Sequence, residues 1–412
     1  MPEAAMDLPA RAPAGEGGLR RAIGVLRDAI DDLSRRLLTP ERLHHISGLR
    51  IARPIARHSA RAVFDVVAGF THSQVLVACT RLGLLERLIA TPATPAELAP
   101  GTGLDADRMR LLCDAATAIG VLHRRSDGRY ATTIAGRAIQ GDPGIQAMIE
   151  HNQLLYRDLV DPLALLRGDA DRSRELADFW PYDGGAERGA LESEAAQRYS
   201  RLMAASQSFI AHEVLAAVDF STHRRLLDVG GGTGAFVEAV GRAHPGLELG
   251  LADLPPVAEA ARDRLAGTPL AGRIRCSGVD FFAEPLPEGA DVVTLVRILH
   301  DHDDADALAL LRAVRAALPG DGALVIAEPM RGEPSAERIG DVYFPLYFLA
   351  MGRGRSRSRS ELVALCREAG FTAFSHPSTH VPLQTSVIVA RGASVEAPEV
   401  PVSGSVDERS VG

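Results

Sequence analysis

A histidine flanked by acids late in the chain carries the most pointed chemistry. In LVRILHDHDDADALALLRAV, His300 and Asp301 close a short apolar run, the kind of strand end where open α/β sheets carry reactive side chains. A neutral imidazole can accept a proton near pH 7, so His300 reads as a general base, with Asp301 beside it in the catalytic set. Glu328 closes the next apolar run, ALVIAE. From there it can orient the imidazole through its other nitrogen, as a carboxylate does in a triad. The cluster His300, Asp301, His302, Asp303, Asp304 and Asp306 also raises a metal. Neighbouring residues at a strand end diverge, however, and Asp303 and Asp304 stand where a helix N-cap belongs. The expectation is proton transfer with no metal.

A second set lies upstream, in RRLLDVGGGTGAFVEAV (224–240). A short apolar run carries Asp228, breaks into Gly230, Gly231, Gly232, Thr233 and Gly234, and resumes with helical spacing. Strand, glycine turn and helix make the front of a nucleotide site, because glycine admits close backbone approach and the helix presents unpaired N–H groups. Gly230, Gly232 and Ala235 satisfy GxGxxG/A, a pattern that leaves NAD open. Three acids separate the nucleotides. Asp228, just before the turn, would repel a pyrophosphate but suits a ligand bearing an ammonium group, such as S-adenosylmethionine. Asp253, 23 residues after Gly230, can accept both ribose hydroxyls. Asp280, in GVDFF, can bond an adenine amino group, with Phe281 beside it to stack on the ring.

These residues need a sheet to present them. Strands are expected at 225–229, 247–252, 273–277, 291–297, 322–327, 371–375 and 383–391, alternating with helices until the last two. Those two are joined only by HPSTHVP after a helix at Arg359 to Ala369, so they must be antiparallel neighbours. The expected class is α/β, a doubly wound Rossmann-like methyltransferase sheet with a terminal antiparallel hairpin. Ahead of it, 62–140 reads as a helical winged-helix domain. It has one apolar helix from Ala62 to Leu88, a capping box at Thr94 and Glu97, a third helix after Asp105, and a hairpin turning at Asp127-Gly128. The third helix mixes Asp105, Asp107 and Asp114 with Arg108 and Arg110, which suits dimerisation or substrate covering better than DNA. Between the domains, 141–220 is a linker and pocket wall: helix at Gln146 to Leu166, a loop holding Trp180, and helix at Leu191 to Val218. The sheet domain spans 221–392.

At its ends the chain has tails of low-order composition, 1–18 and 393–412, and a basic helical arm at 19–61. Arg35, Arg36, Arg42, Arg50, Arg53, Arg57 and Arg61 of the arm are opposed only by Glu41. It reads either as a solvated arm packing on a dimer partner or as a membrane-surface contact. The net charge of −8 over 412 residues argues against nucleic-acid binding. All basic side chains are Arg, with no Lys. Four scattered cysteines indicate a reduced, cytoplasmic chain with no zinc site, and no apolar run reaches the roughly 18 residues of a membrane span.

LLDVGGGTG, DLPPV, GVDFF, ILHDHDD and VIAE in this order, behind a winged-helix domain, resemble the S-adenosylmethionine-dependent O-methyltransferases of the plant phenolic type. ARAVFDVVAGFTHSQVLVAC and YFPLYFLAMGRGR are most similar to its bacterial carotenoid branch, which methylates hydroxyneurosporene or demethylspheroidene. The resemblance implies a homodimer with a lipophilic carotenoid substrate, cytoplasmic or peripheral to a membrane. It implies cofactor contacts at Gly230, Asp253, Leu254, Asp280 and Phe281, with His300 as base and Glu328 beside it. The family's basic cofactor contact falls on Val296, so Arg297 is the nearest substitute. A second carboxylate that clamps the histidine in the phenolic enzymes is replaced by Ser356. A phenolic or polyketide substrate, a nicotinamide oxidoreductase and a winged-helix regulator are the alternative functions. The segment Val342 to Met351 reads equally as polyene wall or core helix.

Overall fold

The structure is a computed structural model that describes residues 53–179, 209–380 and 385–392, with single positions at 25, 28, 29, 32 and 207. The tails, most of the basic arm, Trp180 and the start of the helix expected from Leu191 lie outside the described residues. The chain divides into two units, 1–76 and 77–412.

In the first unit the described residues belong mainly to the start of helix α1 (Arg53–Arg81). Val63, Phe64, Val66, Val67 and Phe70 lie open on it, Val66 being 79% exposed. Over 57–81 this helix is long and apolar enough to cross a membrane by length and composition alone, with 11% of the window buried. That corrects the expectation that no segment reaches this length. Isolated charges such as Asp65 interrupt the apolar run without lowering its average much.

The second unit contains the winged-helix elements. Helices α2 (Leu84–Ala90), α3 (Pro95–Leu98) and α4 (Ala106–Ala118) precede a hairpin of β1 (Leu122–Arg124) and β2 (Tyr130–Thr132), paired antiparallel. The apolar run 62–88 is not one helix: Gly83 takes φ +61 and starts α2 anew. The capping box is present, with the Thr94 N–H donating to Glu97 Oε2 (2.8 Å) and the Glu97 N–H to Thr94 Oγ1 (3.4 Å). Helices α5 (Ile134–Gly141), α6 (Pro143–Asp158), α7 (Pro162–Arg167) and α8 (Glu175–Phe179) follow. The single helix expected from Gln146 to Leu166 is therefore two. Pro162 cannot continue α6, and Asp161 caps α7 by accepting the N–H groups of Leu163 and Ala164.

The sheet strands are β3 (Arg225–Val229), β4 (Glu248–Asp253), β5 (Ile274–Gly278), β6 (Val292–Val296), β7 (Ala323–Glu328), β8 (Ala373–Ser375) and β9 (Ser386–Arg391). Their order is β5-β4-β3-β6-β7-β9-β8. The first five run parallel; β9 is antiparallel to β7, and β8 to β9, as the short connection demanded. Every residue of β6 and β7 is buried, as expected of strands covered on both faces. One apolar core gathers Leu295, Leu310, Leu311, Ile326 and Phe371, and a second gathers Leu226, Phe236, Val237, Val325 and Val387. Helices α9 (Ala235–Ala243), α10 (Pro255–Ala266), α11 (Asp304–Ala317), α12 (Phe344–Met351) and α13 (Arg359–Glu368) complete the unit. A π-helical turn, Arg338–Tyr343, leads into α12.

Candidate active site

The site lies along the C-terminal ends of the parallel strands, and its first half is built on β3 and β4. Gly230 and Gly232 take φ of +71 and +56, open to glycine and strained for other residues. A Cβ on Gly230 would stand 2.5 Å from Ile298, whereas beyond Gly232 there is open space. Asp228 ends up facing the turn, since a Cβ on Gly231 would meet its Oδ2 at 2.8 Å. Its Oδ1 accepts the Thr294 hydroxyl at 2.7 Å. Burial pushes the Asp228 carboxyl up to about 7, opposed by the Thr294 bond and aided by the nearby Asp253 charge. Asp253 accepts the Gly232 N–H on Oδ2 and the Leu254 N–H on Oδ1, each at 2.8 Å. Burial likewise raises its carboxyl, to about 6.

Asp280 follows β5 and accepts the Phe282 N–H at 3.1 Å, which fixes the turn carrying Phe281. The rings of Phe281 and Phe282 meet edge-on at 4.8 Å, and both stand edge-on to His302, at 6.1 and 5.1 Å. Burial first, and then Arg353, lowers the His302 imidazole to about 4. The adenine side of the expected nucleotide site thus reaches the turn that carries His300 through the His302 ring, which the sequence offered only as a metal ligand.

The second half is built on β6 and β7. His300 does not end β6 but sits in a 3-10 turn, Leu299–Asp301, just after it. Its Nδ1 lies 2.5 Å from Glu328 Oε2 and its Nε2 lies 3.4 Å from Asp301 Oδ1. Neither Nδ1 nor Oε2 has a well-angled hydrogen bond, so the two stand in close contact without a linear bond. Glu328 is fixed from its other oxygen: Oε1 accepts the N–H groups of Ile298 (3.0 Å) and Leu299 (2.9 Å). Desolvation by burial raises the Asp301 carboxyl to about 6, with His300 pulling the other way. Asp303 is the N-cap of α11, as its position suggested. Its side chain makes no cap bond; Oδ1 accepts the Gly354 N–H instead.

Helix α12 closes the site with aromatic rings. Phe348 stands 4.9 Å from the His300 ring and Phe344 6.2 Å, stacked. Behind them Tyr347 bonds His151 Nε2 at 2.9 Å, and the Tyr343 hydroxyl donates to Asn152 at 2.8 Å. These rings share an apolar cluster with Leu155, Leu165 and Leu176 of α6, α7 and α8. The segment from Val342 to Met351 is thus both core helix and site wall. Burial, and then Arg297, lowers the His151 imidazole to about 4.

Arg297, expected to touch the cofactor, takes a left-handed backbone (φ +58). Its guanidinium stands 5.8 Å over the Phe344 ring, and its charge is felt at His151, Tyr343, Tyr347 and Asp301. Its neighbours therefore include the aromatic wall. Ser356 is buried and donates to the carbonyls of Gly340 (3.2 Å) and Pro329 (3.4 Å), so it serves the backbone and is no substitute for a carboxylate. Among the described residues the run from His300 to Asp306 does not converge as metal ligands; the one such group is His212, Glu213 and His380.

Chemically, the arrangement pairs a pocket for a cationic, ribose-bearing ligand with an imidazole base set against an apolar wall. Thr294, Phe348 and Arg357 were not singled out from the sequence, and His302 only as part of a metal cluster. Thr294 did leave a signal, as the one polar residue within the apolar run VVTLV.

Residues 64–140 match the model of the O-methyltransferase dimerisation domain, and 158–372 that of the O-methyltransferase domain. The chain belongs to the O-methyltransferase family. Among its relatives, the demethylspheroidene O-methyltransferase of Cereibacter sphaeroides is 47% identical over 320 residues, 78% of this chain and 84% of that one. The demethylspheroidene O-methyltransferase of Rhodobacter capsulatus is 42% identical over 356 residues, 86% and 88% of the two chains. Among solved structures, CalO1, a methyltransferase in calicheamicin biosynthesis in its SAH-bound form, superposes with a TM-score of 0.68. It shares 29% identity, and the match covers 82% of this chain and 98% of that one.

Proposed function

We propose that the chain transfers the methyl group of S-adenosylmethionine to the hydroxyl oxygen of a hydroxylated carotenoid of the hydroxyneurosporene or demethylspheroidene type. The observation that carries the reaction is the His300 imidazole, held at Nδ1 by Glu328 and flanked by Phe344 and Phe348. The similarity to the two demethylspheroidene enzymes supports the substrate.

The residues at the glycine turn fit S-adenosylmethionine, which when bound supplies a sulfonium-activated methyl group. Asp228 faces the turn and suits an ammonium group, and the space beyond Gly232 is open. Asp253 would accept ribose hydroxyls, with Leu254 beside it. Asp280 and Phe281 would serve the adenine. An alcohol is far less acidic than a phenol, whose pKa is about 10, so it is not ionised beforehand. His300 takes the hydroxyl proton on Nε2 as the new C–O bond forms, and the Glu328 carboxylate stabilises the resulting imidazolium. Asp301, 3.4 Å from Nε2, is the nearest acceptor to relay that proton. The products are a methyl ether, S-adenosylhomocysteine and a proton released to solvent. Alignment of hydroxyl and methyl carbon does most of the work, a proximity effect.

The dimerisation domain fits a homodimer, whose partner copy would cover the open face of Val63, Phe64, Val66, Val67 and Phe70. A lipophilic substrate suits a cytoplasmic protein that touches a membrane peripherally through its basic arm.

Purified protein given labelled S-adenosylmethionine should yield the methyl ether of a 1-hydroxy carotenoid. Methylation of a phenol or polyketide with none of the carotenoid would overturn the substrate assignment.

A further inference from the structure

The polypeptide that carries His300 is a short turn, and its carbonyl groups are of the kind that need outside partners. They find them in one segment, 354–357. The Leu299 carbonyl accepts Arg357 Nη1 at 2.6 Å, and the His302 carbonyl accepts Nη2 at 2.7 Å. Between them, the His300 carbonyl accepts the Arg355 N–H at 2.9 Å. Gly354, at φ +74, leaves room for that carbonyl, since a Cβ there would stand 2.2 Å from the His300 oxygen. Arg357 Nε turns outward and donates to Asp304 Oδ1 at 2.9 Å, in the first turn of α11. The Arg357 side chain is 1% exposed, so its charge is fully committed to these partners.

Leu299 is gripped from both sides. Its N–H is held by Glu328 Oε1 and its C=O by Arg357. Glu328 therefore sets both ring and backbone, and Arg357 opposes it across the same residue, from the next peptide plane.

We infer that Arg357 is a positioning residue for the proton transfer: its guanidinium fixes the carbonyls on either side of His300 and so holds the imidazole against Glu328. A planar fork with several fixed donors can span these acceptors, whereas a lysine ammonium is a single point on a flexible stem. The inference rests on His300 being the base of the proposed reaction.

The test uses the full-length chain with Arg357→Lys, Arg357→Gln, Asp304→Asn and His300→Ala. The number of folded sites is counted by S-adenosylhomocysteine binding. Displacing a reacting group by about 1 Å costs on the order of 10²-fold in rate. Arg357→Lys should therefore lower kcat per folded site by about that factor, with KM and S-adenosylhomocysteine affinity nearly unchanged. Asp304→Asn, at an exposed carboxylate, should give the same signature more weakly and serves if the Arg357 variants do not fold. Combined with Glu328→Gln, Arg357→Lys should cost less than the product of the two single losses, because both act on the backbone of Leu299.

Full kcat in the folded variants would overturn the inference. So would a fall in activity that only tracks the number of folded sites, or single losses that simply multiply. If His300→Ala keeps full activity, it is the assignment of the base that fails, which the Arg357 results alone cannot mimic.

Discussion

The two halves of the site are held in different ways. On β3 and β4 the acids are held by a turn and a neighbouring strand: Asp253 by the N–H of its neighbour Leu254 and of Gly232, Asp228 by Thr294 on β6. On β6 and β7 the base is held by distant segments, with Glu328 in front, Phe344 and Phe348 alongside, and 354–357 behind. A half made of strand ends and a glycine turn suits a ligand of constant chemistry. A half assembled from helix α12 and a late loop can change its wall without disturbing the ligand, so substrate choice belongs there.

That division is broken most directly at the base. His300→Ala should lower kcat by about 10²–10⁴-fold while S-adenosylhomocysteine still binds as in the parent. A matching loss of binding in calorimetry would mean that the halves are not separable. Next in size, Phe348→Ala removes a buried ring, and such truncations cost about 3–5 kcal/mol. It should lower the unfolding midpoint and raise KM for the carotenoid more than for S-adenosylmethionine; equal rises would assign the ring to both halves. A smaller effect is expected at the cofactor half. Asp253→Ala leaves the Gly232 N–H without its acceptor, a loss of about 1–3 kcal/mol. It should appear in cofactor affinity, with kcat at saturation largely kept.

The smallest expected effect is a pH dependence. Asp228 titrates near 7 and Asp253 near 6, both above their ordinary value of 3.8 because they are buried. In that window the folded state binds more protons than the unfolded chain, so these groups withdraw stability as pH rises from about 4 towards 7. An ammonium group beside Asp228 favours the carboxylate and offsets that loss. The rise in unfolding temperature on adding S-adenosylhomocysteine should therefore grow between pH 5 and 8, and Asp228→Asn should flatten the trend. A shift independent of pH in the parent protein would remove Asp228 as the ammonium partner.

Legibility in the sequence followed the same division. Asp228, the glycine turn, Asp253 and Asp280 are spaced by one repeat of strand and helix, so their order announces a shared edge. His300 and Glu328 were readable together because they follow adjacent parallel strands. The strand bounds fell within about two residues of those observed, apart from the start of β9, because buried parallel strands are written as continuous apolar runs. Arg357 was not readable: in RGRSRSRS it looks like one of several solvated charges, and only the fold brings it to carbonyls 55 and 58 residues away. The helix breaks at Gly83 and Pro162 were written plainly, but the apolar periodicity on either side outweighed them. Arg297 illustrates a further limit, since its left-handed backbone and its place over the Phe344 ring were not written in its sequence position.

Strand β9 pairs with the whole length of β7, Glu328 lying opposite Ser386 and Ala323 opposite Arg391. The strand that ends in the carboxylate beside His300 is therefore completed by residues translated well after it. Until those residues leave the ribosome, β7 is an open edge with unsatisfied peptide groups, the situation in which nascent chains aggregate. A truncation before Ser386 should then produce insoluble protein rather than a weakened enzyme.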